Sequence, residues 1–270
     1  MDINALLQVM QRLRHPEEGC PWDRQQTFAS LVPHTLEEAY EVADSIEREH
    51  NADLCDELGD LLFQIVFYAQ IASEKKLFEF DDVVAAIVDK LIRRHPHVFA
   101  DEQIDSVARQ TEAWEEHKRQ ERAQKTTSNE PLSELDGVLK AMPALVRAQK
   151  LQRRAARSGF DWDDIEDVYA KLSEEEAEVR AAVDIADQDK VEDEIGDLLF
   201  AGVNLARFLD VDAEQALRRA TNKFERRFRG VERHVAQQQQ VMKSMSVKEL
   251  DKIWNAVKQV EDDNTNDPPL

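Results

Sequence analysis

The chain has 270 residues, a net charge of −21 and 34% charged residues, with 42% hydrophobic residues. That much negative charge repels polyanions and argues against a nucleic-acid partner, and seven Gly and eight Pro leave few turn formers for a β-rich fold. Two distant cysteines, Cys20 and Cys55, no signal-peptide pattern and no apolar run long enough to span a bilayer point to a cytoplasmic protein away from the membrane.

In chain order, apolar spacing predicts helices over 3–14 and 36–48, the second after a GCPWD segment at 19–23. Thr35-x-x-Glu38 fits a capping box. A turn over 47–52 leads to a helix whose stripe is Leu54, Leu58, Leu61, Leu62, Ile65, Val66 and Ala69. Helices over 80–95 and 107–124 follow, with His95-Pro96-His97 read as a structured helix exit rather than a metal site. Residues 121–136 are polar and read as a linker. Helices are then expected over 137–157, 165–183, a segment carrying Val191, Ile195, Leu198, Leu199 and Leu205, 213–238 and 247–260, with a polar tail at 261–270. The expectation is an all-α protein of antiparallel helix hairpins.

The chain repeats itself. ELGDLLF at 57–63 returns as EIGDLLF at 194–200, and flanking segments match in the same order with an offset drifting around 137. Two modules follow, 1–120 and 137–260.

Each module carries four acids in mirrored positions. Glu175 and Glu178, then Glu194 and Asp197, are spaced i, i+3, so each pair shares a helix face. A hairpin folded about residue 186 sets 175 opposite 197 and 178 opposite 194. Folding about residue 49 does the same for Glu38, Glu41, Glu57 and Asp60. A Glu-rich helix more often displays a solvated face, and a single EExxE carries no more than that. The mirrored set, present twice beside an apolar stripe, points instead to a hard divalent cation that offsets the repulsion, Mg²⁺ by preference with Mn²⁺ as a substitute.

Lys223, Arg226 and Arg227 form a local basic cluster in KFERRFR that suits phosphate; i, i+4 pairing with Glu225 and Glu232 is the ordinary alternative. Trp254 and Lys258 lie i, i+4, fit for a nucleobase and a phosphate or, equally, for a core Trp under a Lys stem. No P-loop, GxSxG or GxGxxG is present.

CPWD, LEEAYEV, ELGDLLF, RRHPHVFA, GFDW, EIGDLLFA and KFERRF together resemble the MazG family over nearly the whole chain. The resemblance implies four-helix-bundle cores completed in a homodimer, and hydrolysis of nucleoside triphosphates to monophosphate and pyrophosphate with broad base selectivity. It implies catalytic and metal roles for Glu175, Glu178, Glu194 and Asp197, with Lys223 and Arg227 acting in catalysis. Nucleotide contacts fall to Lys171, Glu174, Lys190, Lys223, Arg226, Arg227, Trp254 and Lys258. It also implies that the second module is the active one, and Asp53 stands in the first where the second has Lys190. The rival readings are a narrow hydrolase for deoxynucleotides or damaged nucleotides, and a helical regulatory scaffold without enzymatic activity.

Overall fold

A computed structural model describes residues 2–100, 106, 109–110, 114 and 133–265, with side chains to Glu261. The chain forms two units, Met1–Glu121 and Arg122–Leu270. Among the described residues no strand occurs, and no helix is long and apolar enough to cross a membrane. Most of the expected helix over 107–124, most of the 121–136 linker and the last five residues of the tail lie outside the described residues, while 109–110 and 114 are helical as expected.

The first unit contains α1 (Ile3–Leu13), α2 (Pro21–Gln25), α3 (Phe28–Glu47), α4 (Asn51–Glu74), α5 (Phe80–Arg94) and α6 (Pro96–Phe99). The hairpin α3–α4 is its frame, with α1 and α5 packed on α4. α3 starts eight residues before the expected 36. Its capping box is Thr27 with Ser30, not Thr35 with Glu38: Ser30 N–H donates to Thr27 Oγ1 at 3.2 Å, and Thr27 N–H to Ser30 Oγ at 2.8 Å. Pro33 lies inside the helix and gives up one backbone donor. Thr35, now mid-helix, bonds Leu31 O and the Tyr68 hydroxyl. The core gathers Met10, Leu31, Val66, Phe67 and Ile71.

The second unit contains α7 (Ala144–Arg157), α8 (Ile165–Asp184), α9 (Gln188–Phe208), α10 (Ala213–Gln237) and α11 (Val247–Thr265). α7 begins seven residues after the expected 137, because Gly137 takes a left-handed φ of 79° and Pro143 serves as the cap. α11 runs past 260, carrying helix into the segment expected to be a loose tail. α8 and α9 form the hairpin, α7 packs across α9, and α10 pairs with α11 around Val231, Val235 and Ile253. Gly230 allows that approach, since a Cβ there would come within 2.7 Å of Val257 Cγ1.

Both hairpins turn tightly through one left-handed residue, Glu49 (φ 54°) and Ala186 (φ 53°), which are the two mirror points read from the sequence. The following helices are capped alike: His50 accepts from Asp53 N–H and Asp187 from Lys190 N–H.

Candidate active site

α8 and α9 run antiparallel from the Ala186 turn, so i, i+3 acids on each face one another. One carboxylate oxygen from each of Glu175, Glu194 and Asp197 lies within 4.8 Å of the others. Glu178 borders this trio: partial dehydration raises its pKa first, and the charges of Glu194 and Glu175 raise it further. In the first unit the trio is Glu38, Glu41 and Glu57. Asp60 borders it and raises the pKa of both Glu38 and Glu57, behind dehydration as the main cause for each.

The acids are less enclosed than expected beside an apolar stripe. Glu175 is buried and Glu194 half-buried, whereas Asp197 and Glu178 are exposed. The reason is that the stripe itself is uncovered: Ile195, Leu199 and Val183 are exposed in the second unit, as are Leu36, Tyr40, Leu58 and Leu62 in the first.

Glu175 is only 4% exposed, and its Oε2 has no hydrogen-bond partner. A buried carboxylate oxygen without a donor is costly unless a ligand satisfies it. Together with two converging carboxylates, this fits a hard divalent cation. Its other oxygen takes the ammonium of Lys171 at 2.6 Å, and Lys171 also meets Glu174 Oε1 at 2.9 Å. These two acids, Glu175 foremost, hold the lysine firmly protonated.

Next to the carboxylates lies a cavity of about 690 Å³, lined by Lys171, Glu175 and Asp197 and by the rings of Phe160, Trp162 and Phe200. Sequence reasoning did not find it. The GFDW segment was visible as half of a repeat, but its meeting with α7 and α9 depends on packing. At its edge Asp161 receives both terminal nitrogens of Arg207 and is held below the usual aspartate range by them.

The remaining candidates do not line that cavity. Lys190 is exposed in the first turn of α9. Lys223 is exposed on α10, and Lys258 on α11. Arg226 and Arg227 on α10 both bond Glu261 of α11, Arg227 Nε at 2.6 Å. Trp254 packs on the α10–α11 core with its ring centroid 5.4 Å from that of Phe224.

Comparison with known proteins agrees with the repeat. The sequence profile of the MazG nucleotide pyrophosphohydrolase domain matches residues 26–99 and 164–231. The chain is 52% identical over 263 residues to an Escherichia coli K12 protein named nucleoside triphosphate pyrophosphohydrolase, covering 97% of this chain and 98% of that one. It is 43% identical over 256 residues to a Thermotoga maritima protein named nucleoside triphosphate pyrophosphohydrolase/pyrophosphatase MazG, covering 95% of each. Among solved structures, a mazG-related protein from Thermotoga maritima aligns with a TM-score of 0.38 at 26% identity, over 43% of this chain and 98% of that one. With two matched domains and near full-length relatives, this chain belongs to the MazG nucleotide pyrophosphohydrolase family.

Proposed function

We propose that the chain is a nucleoside triphosphate pyrophosphohydrolase working at the α8–α9 hairpin of its second unit. Water adds across one phosphoanhydride bond, releasing nucleoside monophosphate and pyrophosphate. The observation that carries the site is Glu175, buried with a partnerless Oε2 and converging within 4.8 Å on the carboxylates of Glu194 and Asp197. The family membership and the named relatives support the reaction.

Glu175, Glu194 and Asp197, with Glu178 at their border, would hold the divalent cation, Mg²⁺ in the first instance and Mn²⁺ as a substitute. Bound there, the cation supplies Lewis-acid charge for the phosphates and a more acidic water. The protein's own cations do the rest. Lys171 neutralises part of the acidic cluster through Glu174 and Glu175. Lys190, Lys223, Arg226 and Arg227 offset charge on the phosphates, and Glu261 fixes the two guanidinium groups in advance. Trp254, packed against Phe224 of α10, and Lys258, one turn later on α11, are the remaining nucleotide contacts of this reading.

The uncovered apolar faces of the hairpins suit a homodimer in which a second copy covers them. The free thiols of Cys20 and Cys55 suit the reducing cytoplasm.

The test is pyrophosphate release from each of the common NTPs and dNTPs with Mg²⁺. Similar kcat/KM across bases is the expected result. Release confined to one deoxynucleotide would favour a narrow hydrolase, and no release from any would sink the assignment.

A further inference from the structure

The two copies align without a gap along α4 and α9, from Glu57 and Glu194 to Gln70 and Arg207. Most paired positions keep their character, and the exchanges that matter for packing lie on the inner face. α4 carries Gln64 and Phe67 where α9 carries Ala201 and Asn204. Phe67 is fully buried, edge-on to Trp22 with centroids 6.5 Å apart and to Phe63 at 5.6 Å. Gln64 is buried beside it in the same helix. In the second copy the counterparts of Trp22 and Phe63 are Trp162 and Phe200. These, with Ala201 and Asn204, line open space instead of a filled core.

That space has the size of a small-molecule site. Its lining joins Lys171, Glu175 and Asp197 to the rings of Phe160, Trp162 and Phe200. Phe160 is 83% exposed, so packing within the fold does not account for an aromatic ring there. Aromatic faces accept any nucleobase, since every base has a π-face to stack.

Two amides set the polar edges, and their orientations follow from their partners. Gln152 Nε2 donates to Phe200 O at 2.9 Å, which leaves its enclosed Oε1, without a partner, as an acceptor. Arg207 Nε donates to Asn204 Oδ1 at 2.9 Å, so Asn204 offers N–H donors to the cavity.

We propose that this cavity receives the nucleoside half of the nucleotide, and that the first copy has lost the pocket because Phe67 and Gln64 fill it. The inference rests on the pyrophosphohydrolase reading, since it takes the phosphates to lie at Glu175, Glu194 and Asp197. It makes Ala201 and Asn204 the positions that separate a nucleotide-accepting copy from a filled one.

The test gives the second copy the first copy's residues. Calorimetric titration of the full chain with Mg²⁺ compares a nonhydrolysable NTP with inorganic tripolyphosphate, which has the phosphates and no nucleoside. The unsubstituted chain should bind the NTP analogue more tightly, by about tenfold or more. Asn204→Phe should remove that advantage and leave tripolyphosphate affinity within about twofold, because phenylalanine is already compatible with this helix position in the first copy. Ala201→Gln should act the same way and decides the matter if Asn204→Phe loses helical circular dichroism. Equal affinity for the two ligands in the unsubstituted chain overturns the pocket, as does an unchanged NTP advantage in a folded variant. Pyrophosphate release by the unsubstituted chain is measured separately, so a failure of the reaction is distinguished from a failure of the pocket.

Discussion

Lys171 Nζ and Glu175 Oε1 lie 2.6 Å apart, one turn of α8 separating them, at the point where the cavity meets the three carboxylates. The ammonium therefore competes for the same carboxylate that a divalent cation needs, while neutralising charge that would repel a triphosphate. Lys171→Met should pull these two effects apart. Mg²⁺ alone should bind about threefold to tenfold more tightly, as expected from losing a partly exposed ion pair, while KM for NTP rises. Calorimetry with Mg²⁺ and steady-state kinetics read the two separately; a parallel weakening of both would contradict the competition.

Glu194→Gln keeps the shape of the side chain and removes one charge from the trio. Hydrolysis should fall by about 100-fold or more, beyond the loss typical of groups one shell further out. The same variant should blunt the stabilisation by Mg²⁺, read as a rise in thermal midpoint, which for the parent is worth about 2.7 kcal/mol at one hundred times the dissociation constant. Full turnover in Glu194→Gln would remove the carboxylate trio from the reaction.

Acid should act on the metal-free protein in two opposite stages. Glu38, Glu57 and Glu178 titrate above the ordinary glutamate value of 4.5 in the folded state, so their ionised forms weaken the fold at neutral pH. That burden lifts as pH falls from neutrality through the raised folded values. Glu74, held down by Arg14, and Asp161, held down by Arg207, have lowered folded values. Their stabilisation is complete above the unfolded values and disappears as pH falls through the lowered ones. A plot of thermal midpoint against pH should thus rise and then drop, and Mg²⁺ should flatten the rising part. A monotonic decline from pH 7 in metal-free buffer would contradict the first stage.

Gly19→Ala should destabilise the first unit by about 1–3 kcal/mol. A Cβ there would stand 2.4 Å from Leu13 O and 2.6 Å from the His15 backbone, and backbone atoms cannot step aside. Its counterpart Gly159 meets nothing, yet sits at φ 89°, so Gly159→Ala is disfavoured by backbone strain instead. Urea denaturation of the two variants checks both.

The hairpins were legible because both facts that define them are local. Helical spacing fixes which acids share a face, and a turn length fixes which acids meet; Glu175, Glu194 and Asp197 follow from those alone. The start of α3 was not, because Pro33 reads as a boundary, whereas the Thr27 cap outweighs one missing donor. The cavity escaped because Leu135, Gln152, Trp162 and Asn204 come from four segments with no shared period. The exchange of Phe67 for Asn204 looks, in one dimension, like ordinary drift between repeats. Only the filled space around the first and the open space around the second give it meaning.

Glu261 bonds both Arg226 and Arg227, so a single carboxylate ties the basic cluster of α10 to α11. A change at this one position would be felt at two guanidinium groups 34 and 35 residues earlier in the chain. Charge reversal there would consequently loosen the seam between the two helices and disturb the basic cluster in the same stroke.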